Sequence, residues 1–273
     1  MALQVYEIER AATRILADYD EGRANDVFTQ RGTDWLTVDE AYVLQRVVAE
    51  LRTRRGEKSI GYKVGCLSPT IQKQFGLQEP VFGHIWQSEM LSSGAKFSLE
   101  ASNPHGRRFV NFAIEGEIAV RLTRDISPGI SEADLQMSVE SWFPVIELHN
   151  YVFRGPSATS QELVAGNAMH AGFVAGSSST LPLASLTDRG EIEIKVNGNV
   201  VETQRVVEIP GGPLGSVRWL ASALARFEET LKAGEIVLTG SPGKLIPISG
   251  NALIEVTCEL QQVVLTVEHP NDR

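Results

Sequence analysis

The segment Ala113-Ile114-Glu115-Gly116-Glu117-Ile118-Ala119-Val120 places two carboxylates two residues apart. In an extended strand side chains alternate between faces, so Glu115 and Glu117 share one face while Ile114, Ile118 and Val120 share the other. The strand rise sets the two acids about 7 Å apart at the backbone. Two carboxylates beside a core repel each other unless a cation or hydrogen-bond donors compensate them, which is how a hard-metal site begins. A solvated strand face is the bland alternative, and a lone Glu-x-Glu does not separate the two.

Val145-Ile146-Glu147-Leu148-His149 repeats the pattern, with Glu147 and His149 on one face and Ile146 and Leu148 on the other. His149 can thus approach whatever Glu147 faces, although a hydrogen-bonded structural histidine is the simpler reading of it. His84 and His170 lie near other candidate residues, but no mechanism read from the sequence requires either. In Ser59-Ile60-Gly61-Tyr62-Lys63-Val64-Gly65-Cys66, alternation turns Lys63 away from Tyr62 and Val64. Ser241-Pro242-Gly243-Lys244 lacks the spacing of a phosphate-binding loop.

The elements that carry these residues follow from pattern and punctuation. Residues 4–19 have helical apolar spacing. Thr37-Val38-Asp39-Glu40 is a capping box opening a helix that should stop at Gly56. Ser68-Pro69 and Gly76 bracket a short helix, and Pro80 leads into a strand through Trp86. Ser131 caps a helix expected to run to Trp142 and to end at Pro144, with Trp142 and Trp219 in buried helical stripes. Residues 167–175 and 191–201 alternate as strands, the second containing the turn signal Asn197-Gly198. Residues 214–231 form the strongest helical pattern, and residues 235–240 and 252–268 close the chain with β-rich segments. Helices come first and strands dominate afterwards, which favours an α+β fold with a large, curved, mainly antiparallel sheet. A composition shift near residue 60 divides a helical N-terminal subdomain, 1–59, from a β-rich catalytic domain, 60–273.

Composition limits the partners. A formal charge of −9 over 273 residues argues against nucleic acid or an anionic membrane surface. The basic cluster Arg52-Thr53-Arg54-Arg55 reads as a helix end, where cations suit the dipole. Cys66 and Cys258 make neither a disulfide framework nor a zinc pattern, so a reducing, cytoplasmic location is expected. The N-terminal segment is unlike a signal peptide, and no apolar run is long enough to span a bilayer.

Seven motifs occur in register: Gly61-Tyr62-Lys63-Val64-Gly65, Pro80-Val81-Phe82-Gly83, Ile114-Glu115-Gly116-Glu117, Pro144-Val145-Ile146-Glu147, Gly166-Asn167-Ala168, Gly212-Pro213-Leu214 and Gly234-Glu235-Ile236-Val237-Leu238-Thr239-Gly240. Together they resemble the fumarylacetoacetate hydrolase superfamily, in its branch of 2-oxo-4-pentenoate hydratases and 4-oxalocrotonate decarboxylases. The resemblance implies a mixed β-sandwich roll behind the helical N-terminal layer, and a homo-oligomer. It implies Mg2+ or Mn2+ held by Glu115, Glu117 and Glu147, and an active-site lysine at Lys63. Substrate contacts are implied at Gly65, Gly83, Thr239, Gly240 and Ser241. The substrate would be a small 2-oxo or 2-hydroxydienoic acid that passes through an enolate, with hydration as the first reading. Decarboxylation or C–C hydrolysis of a related oxo acid is the alternative, and a non-catalytic scaffold subunit is the rival of another class. Two departures bear on the reaction. Val81 stands where the hydratases usually carry an aspartate, and Gly166 stands where an aspartate usually precedes Asn-Ala. Both remove polar groups and shift weight from hydration towards decarboxylation.

Overall fold

The computed structural model describes residues 5–32, 35–100, 106–153, 157–183, 186 and 190–269. Residue 4, where the first helix is expected to begin, lies outside them. Three helices open the chain: α1 (Val5–Asp20), α2 (Val27–Arg31) and α3 (Val38–Arg54). Thr37 accepts from the Glu40 N–H while the Glu40 carboxylate accepts from the Thr37 N–H, closing the expected capping box. Arg52, read as a helix-end cation, is instead buried: it pairs with Glu89 at 2.6 Å and lies 4.3 Å from the Trp86 ring centre. Its long stem carries it inward, where an acid waits.

The strands are β1 (Ser59–Gly65), β2 (Val81–Trp86), β3 (Met90–Ser92), β4 (Ala95–Ser98), β5 (Phe112–Leu122), β6 (Val139–Asn150) and β7 (His170–Ala175). They continue with β8 (Glu191–Val196), β9 (Asn199–Arg205), β10 (Ile236–Leu238), β11 (Ile246–Pro247), β12 (Ala252–Cys258) and β13 (Gln261–Glu268). Between them lie α4 (Pro69–Phe75), α5 (Glu132–Met137), α6 (Ser160–Ala165) and α7 (Gly212–Ala225). One curled sheet runs β2-β1-β10-β5-β6-β7-β3 with β11 beside β5, and a second runs β4-β13-β12-β8-β9. Pairing is antiparallel except for β1 with β10, β3 with β7 and β4 with β13. The expected α+β class and mainly antiparallel sheet are what the chain adopts.

Three sequence expectations need correction. The helix opened by Ser131 ends at Met137, and Trp142 and Pro144 lie inside β6. Residues 139–150 pair with β5 over its whole length, and Trp142, Phe143, Val145 and Ile146 are buried on both faces of the sheet. That long-range burial outweighs the helical spacing. Residues 167–169 make a left-handed turn, with φ of 56°, 52° and 63°, and the strand starts only at His170. The last long helix spans Gly212–Ala225 rather than residues 214–231, and Glu228 just beyond it has φ 61°. The Asn197-Gly198 turn is as expected: both residues have positive φ, 52° and 78°, as a two-residue hairpin of this twist needs.

The alternation along β5 divides the molecule. Ile114, Ile118, Val120 and Leu122 enter the main core between the two sheets. Gly116 lies on that face, and a Cβ there would stand 2.9 Å from the Ile194 side chain, so the close approach of the sheets requires glycine between the two glutamates. On the other face Ile85, Ala119, Phe143, Val145, Phe173, Ile236 and Leu238 form a second apolar cluster. Lys63, Glu115, Glu117, Glu147 and His149 continue along the same strand faces.

Candidate active site

Strand register gathers the charged side chains. Glu115 lies directly opposite Glu147, Ala113 opposite His149, and His149 opposite His170 on β7. Lys63 arrives from β1 through its pairing with Leu238 of β10, which in turn faces Ala119 of β5. The Lys63 Nζ stands 3.2 Å from Glu147 Oε1, and His170 Nδ1 is 2.7 Å from the same oxygen. His149 Nε2 stands 3.2 Å from Glu115 Oε2 and 3.3 Å from Glu147 Oε2. Both approaches are ion pairs without hydrogen-bond alignment, and His149 Nδ1 is buried without a hydrogen-bond partner. Glu115, Glu147 and His149 each offer a ligand atom within 4.8 Å of the other two.

Glu117 sits deeper. Its Oε2 accepts the Gly240 N–H at 2.9 Å, and its Oε1 is buried without a partner. Gly240 has φ +89°, the left-handed region where glycine is at ease, and this turn aims its N–H at the carboxylate. The next residue on the turn, Ser241, donates to Gln204 and lines the cavity above the site. Thr239 is fully buried, and both its N–H and its hydroxyl donate to the Ile118 carbonyl, bracing β5 from behind. Gly65 leaves room for the Lys63 ammonium, which would stand 2.8 Å from a Cβ there. Gly83 makes room for Asn167 instead: the Asn167 carbonyl oxygen would lie 2.7 Å from a Cβ, and Asn167 ties its amide to both backbone groups of His84.

The cavity holds about 290 Å³. Lys63, Glu115 and His149 form its polar end, while Leu67, Phe75, Val81, Leu163 and Met169 supply apolar wall. Val81 is 1% exposed and paired with Gly65, and it gives the cavity a methyl-lined wall. Gly166, the other departure, faces away from this cavity onto the Phe153 ring and lines a separate pocket of about 50 Å³ beside α1 and α3.

Electrostatics follow from burial and charge count. Three carboxylates, the Lys63 ammonium and the His149 imidazole share a site of low polarity, so each group's charge is set by its neighbours. Burial, reinforced by the Glu147 charge, pushes the Glu117 carboxyl well above its ordinary range. Burial also works against a charged Glu147, but His149 and Lys63 outweigh it and hold that carboxyl well below the usual range. For Lys63, burial favours the neutral amine, yet Glu147, Glu117 and Glu115 together raise its pKa above the usual lysine value. Burial opposes charge on His149 too, and Glu147 and Glu115 lift it to about 9. Cys66 at the cavity wall is pushed up to about 11 by burial, which keeps it a thiol.

The donor set fits a divalent cation. Glu115, Glu147 and His149 each bring a ligand atom within 4.8 Å of the other two, and Glu117 Oε1 and Glu147 Oε2 are buried oxygens without a hydrogen-bond partner. Oxygen donors with no thiolate suit a hard or borderline ion.

A family model described as the fumarylacetoacetate (FAA) hydrolase C-terminal domain matches residues 69–268. The chain belongs to that family. It is 32% identical to a 2-keto-4-pentenoate hydratase of Paraburkholderia phymatum, over 76% of this chain and 77% of the relative. It is 25% identical to a 4-oxalocrotonate decarboxylase of a Pseudomonas species, over 94% and 95% of the two chains. Among solved structures, 4-oxalocrotonate decarboxylase from Pseudomonas putida G7, complexed with magnesium and adipate, superposes with a TM-score of 0.89. That match covers 97% of this chain and 99% of the neighbour at 23% identity, and it shows the shared fold.

Alternation placed Glu115 with Glu117, and Glu147 with His149, on shared strand faces, and the family resemblance grouped the three glutamates with Lys63. Both left out His170, whose bond to Glu147 depends on the β6–β7 register. The only sequence signal for it was a histidine at the start of an alternating segment.

Proposed function

We propose that this member of the family is a divalent-metal-dependent lyase acting on a 2-oxo or 2-hydroxydienoic acid, with 2-oxo-4-pentenoate hydratase-like chemistry. The observation that carries this reading is the polar end of the 290 Å³ cavity, where Lys63, Glu115 and His149 face inward with Glu147 behind them. Glu115, Glu117 and Glu147 are the residues to hold Mg2+ or Mn2+. When bound, such an ion supplies a Lewis acid that favours the enolate form of a 2-oxo acid.

The rest is the work of the chain. Lys63, fixed by Glu147 at 3.2 Å, keeps an ammonium at the cavity floor, where it binds the substrate carboxylate or hands a proton to the carbon skeleton. The Gly240 N–H orients Glu117, and His170 orients Glu147. Gly65 and Ser241 form the polar substrate rim, and Gly240, Gly83 and Thr239 set its position from behind through Glu117, Asn167 and Ile118. Leu67, Phe75 and Val81 keep water from the apolar part of a diene.

Val81 favours a second reading. A valine neither activates water nor moves a proton, so hydration must draw both functions from the opposite end of the cavity, whereas loss of CO2 needs no added water. A 4-oxalocrotonate-type decarboxylase is therefore the alternative, followed by C–C hydrolysis of a related oxo acid. The helical layer, 1–59, is read as a subdomain on the catalytic part, 60–273, of a cytoplasmic homo-oligomer that binds neither nucleic acid nor membrane. Among the described residues no helix is long and apolar enough to cross a membrane. Ultraviolet assays with 2-hydroxypenta-2,4-dienoate and with 4-oxalocrotonate, each with Mg2+ or with a chelator, test the proposal. Metal-dependent consumption of the first is expected. Turnover of the second alone would transfer the assignment to decarboxylation, and turnover undiminished by chelation would overturn the metal reading.

A further inference from the structure

We infer that His149 is a direct nitrogen ligand of the metal, giving this site a mixed nitrogen and oxygen donor set that favours a first-row transition ion such as Mn2+ over Mg2+. The inference rests on the reading of the site as a divalent-metal centre. It goes beyond it by adding an imidazole to a site otherwise described by carboxylates.

Three observations carry it. His149 is 3% exposed, its Nδ1 lacks a hydrogen-bond partner, and its Nε2 meets only the off-line approach of two carboxylates, which leaves the ring without the aligned partners of a structural histidine. Its Nε2 stands 3.2 Å from Glu115 Oε2 and 3.3 Å from Glu147 Oε2. Adjacent ligands of a six-coordinate ion with bonds of about 2.1–2.4 Å lie about 3.0–3.4 Å apart, so these separations are those of neighbouring ligand positions. Finally, the register places His149 beside the carboxylates by backbone pairing alone, opposite Ala113 and two residues from Glu147, so no loop movement is needed to bring it in. His170 differs: its Nδ1 is already engaged with Glu147 at 2.7 Å, the arrangement of a residue that orients a ligand from outside. Mg2+ prefers oxygen and retains water, whereas imidazole suits transition ions, so one nitrogen at this position changes the preference of the site.

The test uses the full chain loaded with Mn2+, read by pulsed electron paramagnetic resonance for nitrogen coupled directly to the ion. The expected result is a nitrogen signal that changes on isotopic labelling of histidine and disappears in His149→Gln while Mn2+ remains bound. Calorimetry on the same proteins should show the Mn2+ over Mg2+ affinity ratio falling about 10–100-fold in His149→Gln. Should His149→Gln not fold, the signal should persist in His170→Gln, which assigns it to His149. Bound Mn2+ without coupled nitrogen, or a signal lost in His170→Gln alone, overturns the inference and leaves the carboxylate site standing. Failure of the wild-type chain to bind Mn2+ at all overturns both readings.

Discussion

Glu89 is the acid on which the helical layer is anchored, and neutralising it should loosen the whole N-terminal face. Its side chain is 1% exposed; Oε1 receives the Tyr19 hydroxyl from α1 at 2.7 Å, Arg52 from α3 at 2.6 Å and Arg107 at 2.9 Å. Arg107 also donates to the Ala171 carbonyl of β7 at 2.6 Å, so one carboxylate links two helices to the sheet that carries the site. Substituting Glu89→Gln preserves shape and leaves a neutral acceptor for Tyr19, but removes the negative charge from between two buried guanidiniums. Breaking one buried pair in this way costs about 3–5 kcal/mol. Arg52 keeps Glu57 at 2.5 Å, which sets the expectation at the low end, about 3 kcal/mol. For a chain of this size that is a fall of about 6–12 °C in melting temperature.

The effect should carry a defined pH signature. Burial raises the Glu89 pKa, but Arg52 and Arg107 outweigh it and hold the carboxyl far below the ordinary value. An acid with a depressed folded pKa contributes stability that is complete above its unfolded value, about 4.3, and is lost as pH falls below it. The gap between wild type and Glu89→Gln, measured by urea unfolding, should therefore be full at neutral pH and shrink as pH falls from about 5 towards 3. Because Ala171 precedes Gly172 and follows His170, the variant should also bind Mn2+ more weakly, by up to about tenfold, through a displaced His170. A melting shift under about 2 °C, or a gap that does not narrow in acid, would refute the anchoring role.

Other outcomes follow from the same coordinates. Lys63→Met should lower turnover by about 10²–10⁴-fold while retaining Mn2+ affinity by calorimetry, and unchanged turnover would remove Lys63 from the chemistry. Glu117→Gln should weaken Mn2+ binding by about 10–100-fold or more, and an unaltered titration would remove Glu117 from the ligand set. Burial, with Arg52 and Arg46 nearby, lowers the His84 pKa to about 4, so between pH 4 and 6.5 the unfolded chain binds the extra proton and stability rises with pH. The rise amounts to about 3 kcal/mol and should be reduced in His84→Gln when unfolding midpoints at pH 4.5 and 7 are compared.

The shared faces of Glu115 with Glu117 and of Glu147 with His149 were legible from alternation because a strand has a fixed period of two, whatever it packs against, while their grouping with Lys63 rested on the family resemblance. The Thr37 capping box and the Asn197-Gly198 turn were legible for the same reason, being settled within four residues. What depends on register was not. His149 and His170 are separated by 20 intervening residues, and only the β6–β7 pairing sets them opposite each other. Glu89 gave no sequence signal at all, since a glutamate in a short 3₁₀ turn reads as solvated until Tyr19, Arg52 and Arg107 converge on it. The Ser131 helix failed for a related cause: residues 139–142 satisfy helical spacing locally, but an eleven-pair ladder with β5 buries them better.

Placement of the site also divides chemistry from selectivity. Lys63, Glu115, Glu117, Glu147 and His149 all stand on strands of one sheet, fixed by backbone ladders and by an apolar cluster farther along the same face. That support holds like charges close together against their repulsion, a strain that a flexible loop would relax. The cavity wall facing them is of another kind: Ile71 and Phe75 come from the short helix α4, Met169 from the left-handed turn, and Ser241 to Leu245 from the segment after β10. Changes in those segments alter the shape and polarity available to the far end of a substrate without moving the carboxylates. Val81, by contrast, is a strand residue in the cavity wall, so a change there alters the fit from the same rigid frame that holds the carboxylates.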